Sequence, residues 1–127
     1  MKYISFEQMP VWKESIYAAR VIYGITCCGF WEKEYSLKDQ IRRAAYSISS
    51  NIAEGFEYDN TKDFVRFLRI AKGSAGEAES QLYLARKLGF IGEKEFNEGI
   101  VVLQSLCKQL GGFIKYLKQN NEKKNAK

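Results

Sequence analysis

Three consecutive pieces of sequence decide the fold: SLKDQIRRAAYSISSNIAEGF (Ser36–Phe56), the short break EYDN (57–60) and TKDFVRFLRIAKGSAGEAESQLYLARKLG (Thr61–Gly89). In the third piece, apolar or small residues fall at Phe64, Leu68, Ala71, Ala75, Ala78, Leu82 and Ala85, in alternating steps of four and three. That spacing draws one stripe along a helix packed nearly parallel to its neighbours. Leu37, Ile41, Ala44, Ile48 and Ile52 repeat it in the first piece. The two stretches therefore form an antiparallel helical hairpin across the EYDN link.

Upstream of this hairpin, Pro10 opens a preceding helix at the one position where its missing N–H costs nothing. Trp12, Ile16, Ala19, Tyr23 and Thr26 follow at four–three spacing, widened on one side by Val11, Ala18, Ile22 and Ile25. A stripe this broad either faces a second subunit as well as the bundle or makes one thick core. Gly29 ends this helix, and Phe30, Trp31 and Tyr35 fill an aromatic link. Ser36 with Asp39 three residues on reads as a capping box for the next helix. That helix contains Ser47, Ser49, Ser50 and Asn51, which individually prefer caps to helix interiors, so packing or side-chain hydrogen bonds must hold it there. Asn51 lies close to the seam, a candidate buried amide that fixes register. Asn60 or Thr61 starts the third helix, with Asp59 and Asp63 at its positive end, Arg86 and Lys87 at its negative end, and Gly89 as its stop. Glu93 and Glu95 open a fourth with its seam at Phe96, Ile100, Leu103, Cys107, Leu110, Ile114 and Leu117.

Four helices, at about 10–28, 36–56, 60–88 and 93–118, joined by short links predict an all-α, antiparallel up-down-up-down four-helix bundle. The bundle domain spans 1–119, and 120–127 is expected to be a lysine-rich disordered tail. A chain of 127 residues is one domain that should bury roughly two-thirds of its unfolded surface. Cys27, Cys28 and Cys107 are an odd number. The adjacent pair suits neither a disulfide framework nor a zinc site, which predicts reduced thiols and a cytoplasmic protein. Glu7, Pro10 and Lys13 stand where a signal peptide needs an apolar core, and the longest uncharged run, Val21–Trp31, is about half a membrane span.

The formal charge is +5. From Lys115 onward five lysines face Glu122 alone, a balance of +4 that leaves +1 for the first 114 residues. The basic character is thus mostly terminal, and runs of like charge tend to stay solvated. The chain has no histidine, which removes the commonest general base, Cys–His and Ser–His nucleophiles, and the Glu-x-x-His pairs of di-iron bundles. Gly24 and Gly29 have Walker spacing, but Phe30 and Trp31 occupy the places that need lysine and serine or threonine. Gly73 and Gly76 match the spacing of one RNA-binding loop, yet the seam runs straight through them. With Ser80 they read instead as a smooth strip where another helix backbone comes close. Glu77 and Glu79 are two apart and point different ways. The expectation is no enzymatic activity, no metal and no cofactor.

Two cationic sets remain. Lys38, Arg42 and Arg43 lie on the polar side of the second helix; Lys62, Arg66 and Arg69 form a stripe on the third, with Lys72 one turn on. Either they pair with Asp39, Glu54, Glu77 and Glu79 as surface or interface ion pairs, or several of them line one surface and hold phosphates without reading sequence.

The run from Gln40 to Gly55, the run from Phe64 to Leu82, and Leu88-Gly-Phe-Ile91 resemble the four-helix-bundle proteins encoded in intervening sequences of bacterial 23S rRNA genes. Val11-Trp12 and the Tyr23 region fit as well, so the resemblance covers nearly the whole chain. The accessory variability determinant of diversity-generating retroelements is similar in kind. That resemblance implies a homopentamer with a basic surface that binds RNA and a reverse transcriptase. By position, Arg42, Arg43, Arg66 and Lys72 match basic residues of the pattern, and Asn51, Glu54, Gly55, Gly73 and Glu77 match its other recurring residues. Where the family usually has proline this chain has Ser49, so a straighter second helix is expected. Together these readings predict a non-enzymatic homo-oligomer, a pentamer by resemblance, that binds structured RNA without strong sequence preference. The alternative is a structural or protein-interaction scaffold that binds no nucleic acid.

Overall fold

A computed structural model describes residues 3–27 and 29–125. Four helices follow one another, α1 (Pro10–Ile25), α2 (Tyr35–Glu57), α3 (Thr61–Lys87) and α4 (Glu93–Asn125), with short 3-10 turns at Phe6–Gln8 and Gly29–Lys33. Each helix packs on two neighbours, α1 on α2, α2 on α3, α3 on α4 and α4 on α1, with no diagonal packing among the described residues. This is the antiparallel four-helix bundle that the seams predict. All seven seam positions of α3 are buried, as are those of α4 except half-buried Cys107.

The seam of α1 is displaced by one residue from the expected line. Burial follows Val11, Ser15, Ala18 and Ile22, while Ile16 and Tyr23 stay 43% and 40% exposed. A serine can occupy the core here because its hydroxyl donates to the Trp12 carbonyl at 2.6 Å, leaving no unpaired polar group. Tyr23 turns outward to meet Arg42, described below.

Helix ends divide into those set by local chemistry and those set by packing. Asn60 caps α3, its side chain accepting from the Asp63 N–H at 2.8 Å. Gly89, at φ 78°, ends it. The Phe90 N–H bonds back to Ala85 and the Gly89 N–H to Arg86, the paired hydrogen bonds of a Schellman cap. The capping box at Ser36 does not form. α2 begins one residue earlier, its N-terminal flank is Glu34 with no side-chain cap, and Ser36 lies inside the first turn. The start is set instead by the Gly29–Lys33 turn, which seats Trp31 at 1% exposure with its ring edge-on to Phe90, 5.7 Å between centroids. At the other extreme α4 continues from the expected 118 to Asn125. No residue from Lys118 to Lys123 is buried, and Asn120 and Asn121 line a cleft shared with Tyr3 and the 57–61 link. Residues 126–127, the end of the predicted tail, lie outside the described residues, as does Cys28.

The small-residue strip is also corrected. A Cβ built on Gly73 or Gly76 meets nothing within 4 Å, so no helix of this chain approaches there. The close approaches occur at Gly55, where a Cβ would stand 2.6 Å from Phe67 Cβ, and at Gly99, where it would stand 2.7 Å from Leu82 Cδ1. These are the glycines that let α2 meet α3 and α4 meet its neighbours closely.

Candidate functional site

Arg42 leaves the set of free cations. It is half-buried in the groove between α1 and α2, where Nε donates to the Thr26 hydroxyl at 2.8 Å and Nη2 to the Tyr23 carbonyl at 3.4 Å. Its guanidinium also lies 4.4 Å from the Tyr23 ring centroid. Thr26 in turn donates to the Ile22 carbonyl at 2.8 Å. Arg42 thus caps the C-terminus of α1, where last-turn carbonyls and the negative end of the dipole favour a cation. Lys38, one turn before it, lies on the same side of α2. Arg43 pairs with Asp39 at 3.1 Å, both side chains mostly exposed, a pair of small energetic weight.

Asn51 does not reach across the bundle. Its amide donates to the Ser47 carbonyl and hydroxyl on its own helix, at 2.8 and 3.0 Å. The link between α2 and α3 is the hydroxyl pair of Ser47 and Ser74, 3.1 Å apart. This pair also gives the register. Arg42 stands level with residue 79, some thirteen residues from Arg66, which is about 20 Å along the axis at the helical rise. Arg42 and Arg66 therefore do not belong to one cluster, whereas Lys72 is only six or seven residues from the levels of Arg43 and Arg42, about 10 Å along the axis.

The cations of α3 find different company. Lys62, Arg66, Arg69 and Lys72 are exposed. Arg66 pairs with Asp63 at 3.6 Å and lies over the Phe67 ring; among the described residues the other three make no ion pair. Lys72 leans toward α4, its Nζ 3.7 Å from where a Gly111 Cβ would be. Lys108 and Lys115 stand one turn to either side of Gly111, and Lys118 follows, so all three run beside Lys72 on one side of α4. No acidic residue interrupts α3 between Asp63 and Glu77 or α4 between Glu98 and Glu122. Five basic residues, Arg69, Lys72, Lys108, Lys115 and Lys118, thus share the α3–α4 side of the bundle, while Arg66 lies over Phe67, the ring that packs against Gly55 and Tyr58. Lys108 is absent from the sequence-based candidates, and Lys115 and Lys118 sit on the packed part of α4 rather than in a terminal run of loose charge. The acid-free interval is the signal that could have found them, but only the α3–α4 register makes it a surface.

Of the other predicted positions, Glu54 and Glu77 are exposed and in no ion pair among the described residues, and Glu77 accepts from Gln81 at 3.4 Å. Glu79 accepts from the Cys107 thiol at 3.4 Å. Burial, then this carboxylate, pushes the Cys107 pKa up to about 11, so it stays a neutral thiol at physiological pH. No group of three or more metal-ligating side chains occurs among the described residues, and no helix among them is long and apolar enough to cross a membrane.

No curated protein matches the chain. Among solved structures, a protein with unknown function from the S23 ribosomal protein family of Bacteroides thetaiotaomicron superposes with a TM-score of 0.76 at 27% identity. The match covers 83% of this chain and 98% of that one. The family described as 23S rRNA-intervening sequence protein matches residues 7–112, nearly the entire bundle. The seams as far as Leu110, the serine–asparagine turn of α2 and the close approach at Gly55 all lie within that span, and the chain belongs to the 23S rRNA-intervening sequence protein family.

Proposed function

We propose that this chain is a non-enzymatic, homo-oligomeric protein that binds structured RNA without strong sequence preference, with the phosphates engaged along the α3–α4 side. The observation that carries the reading is the acid-free interval on both helices, brought together by Lys72 against Gly111. Lysines and arginines spaced by single helical turns suit a polyanion whose charges repeat regularly, and they need read no base. The family's link to intervening sequences of rRNA supports RNA over duplex DNA. Self-association is supported by apolar side chains on outer faces: Ile70 and Leu84 on α3 flank the bare Gly73 and Gly76, and Val101 on α4 is 63% exposed. Five copies, and a reverse transcriptase as protein partner, follow from the resemblance to the accessory variability determinant. The scaffold reading is favoured by Arg42, a cation wholly engaged in holding α1 to α2.

A salt titration of binding to a structured RNA, with oligomer mass followed by light scattering, tests the proposal. Replacing Arg69, Lys72, Lys108 and Lys115 by glutamine should flatten the log–log salt dependence by somewhat under one unit for each phosphate no longer engaged, with the mass unchanged. An unchanged slope would place the interface elsewhere. No binding by the unaltered protein at low salt would leave the scaffold reading.

A further inference from the structure

We propose that the cleft at the α2–α3 end of the bundle holds an unpaired guanine base of the bound RNA. The inference rests on the RNA-binding reading above and adds a base-recognition site to it. The cleft has a volume of about 670 Å³ and lies where the 57–61 link meets the C-terminal part of α4 and Tyr3. Aromatic rings and polar groups share its walls: Tyr3, Phe56, Tyr58 and Tyr116 line it, with the buried Phe64 behind them. These rings hold one another in place. Tyr58 stacks on Phe67 at 5.0 Å and 27°. Phe64 meets Phe56 and Phe113 edge-on, and Phe113 stacks with Tyr116. Tyr58 and Tyr116 nevertheless remain 45% and 54% exposed. Fixed tyrosines with a free face are the platforms on which unpaired bases stack.

The polar groups narrow the choice of base. Glu57 and Asp59 line the cleft, are exposed and make no ion pair among the described residues. Ionised carboxylates only accept hydrogen bonds, so they disfavour phosphate inside the cleft and favour a base edge rich in donors. Guanine presents N1–H and the N2 amino group side by side, a pair that the two oxygens of one carboxylate can accept together. Asn120 and Asn121 line the α4 side and can donate to the acceptor atoms O6 and N7. Asn60 is not available, its side chain being engaged with Asp63. Outside the cleft, Lys62 follows the lining residue Thr61, while Lys115 and Lys118 lie on the side of α4 that faces Lys72. A nucleotide whose base enters the cleft thus has Lys62, exposed in the first turn of α3, as the cation next to the lining.

The test uses the full-length protein and RNA hairpins that share one stem. Their short loops are uridines with one central guanosine, the same with inosine or uridine at that place, or entirely abasic. The guanosine loop should bind about tenfold or more tighter than the abasic loop, from stacking. Inosine, which lacks the N2 amino group, should fall between, with the salt slope the same for all. Tyr116→Ala, a change at an exposed ring, should remove the difference between the guanosine and abasic loops. Glu57→Gln with Asp59→Asn should remove the preference for guanosine over uridine. Equal, steeply salt-dependent binding of guanosine and abasic loops would overturn the base site and leave phosphate binding standing. Failure of every hairpin to bind at low salt would overturn both.

Discussion

Gly55→Ala should destabilise the protein even though alanine is the better helix former. In an open helix interior the substitution gains about 1 kcal/mol. At Gly55 the new methyl would stand 2.6 Å from Phe67 Cβ and 3.1 Å from Phe64 Cδ1. Phe67 Cβ is attached directly to the α3 backbone, so no rotamer change can clear it, and α2 and α3 must move apart. Overpacking of that kind costs about 1–3 kcal/mol. The net effect is a loss of up to about 2 kcal/mol after the propensity gain. Gly73→Ala is the internal control: same residue change, helix interior, and nothing within 4 Å. Within the single chain, where that face is open, it should gain the full propensity term of about 1 kcal/mol. The two variants then differ by the packing term alone, which for a chain of this size is about 3–15 °C in melting temperature. Thermal unfolding followed by circular dichroism, at matched protein concentration, reads the difference. Equal melting temperatures would refute the account of Gly55 as the point of closest approach. A Gly73→Ala variant that melts lower and loses oligomer mass would show that a neighbouring subunit covers that face.

Arg42→Gln removes both hydrogen bonds to the end of α1 and the interaction with the Tyr23 ring, and should cost about 1–2 kcal/mol in denaturant unfolding while leaving RNA affinity unchanged; a drop in affinity at unchanged stability would return Arg42 to the binding surface. Cys107, followed alone after Cys27 and Cys28 are replaced by serine, should alkylate with an apparent pKa near 11. Glu79→Gln should lower that value, since the carboxylate both accepts from the thiol and repels the thiolate. The sign for stability follows: a thiol whose folded pKa is raised leaves stability intact below its ordinary value near 9 and lowers it as pH rises from about 9 toward about 11.

The helices, their antiparallel order and the buried stripes of α3 and α4 are legible in the chain itself, because at those positions nearly every residue is apolar or small and the helical period leaves no other face to bury. So are the ends that depend on neighbouring residues, the Asn60 cap and the Gly89 stop. Periodicity misplaces the seam of α1, where a hydroxyl that bonds its own helix makes Ser15 a core residue and Ile16 an outer one. It also misjudges Ser36, since the start of α2 depends on where Trp31 packs. Which residues of different helices share a surface is a matter of tertiary packing. Gly55 and Gly73 are alike in the sequence and differ only in what stands opposite. Arg42 and Arg66 belong to one family pattern, yet Arg42 is bound to the end of α1 while Arg66 faces outward, about 20 Å away along the axis. Lys108, seven residues from Lys115 and far from α3 in the chain, joins Lys72 because the α3–α4 register brings Gly111 beside it. Helical period acts over a few residues and can be read along the chain; register is set by the fit of whole faces against one another, and only packing determines it.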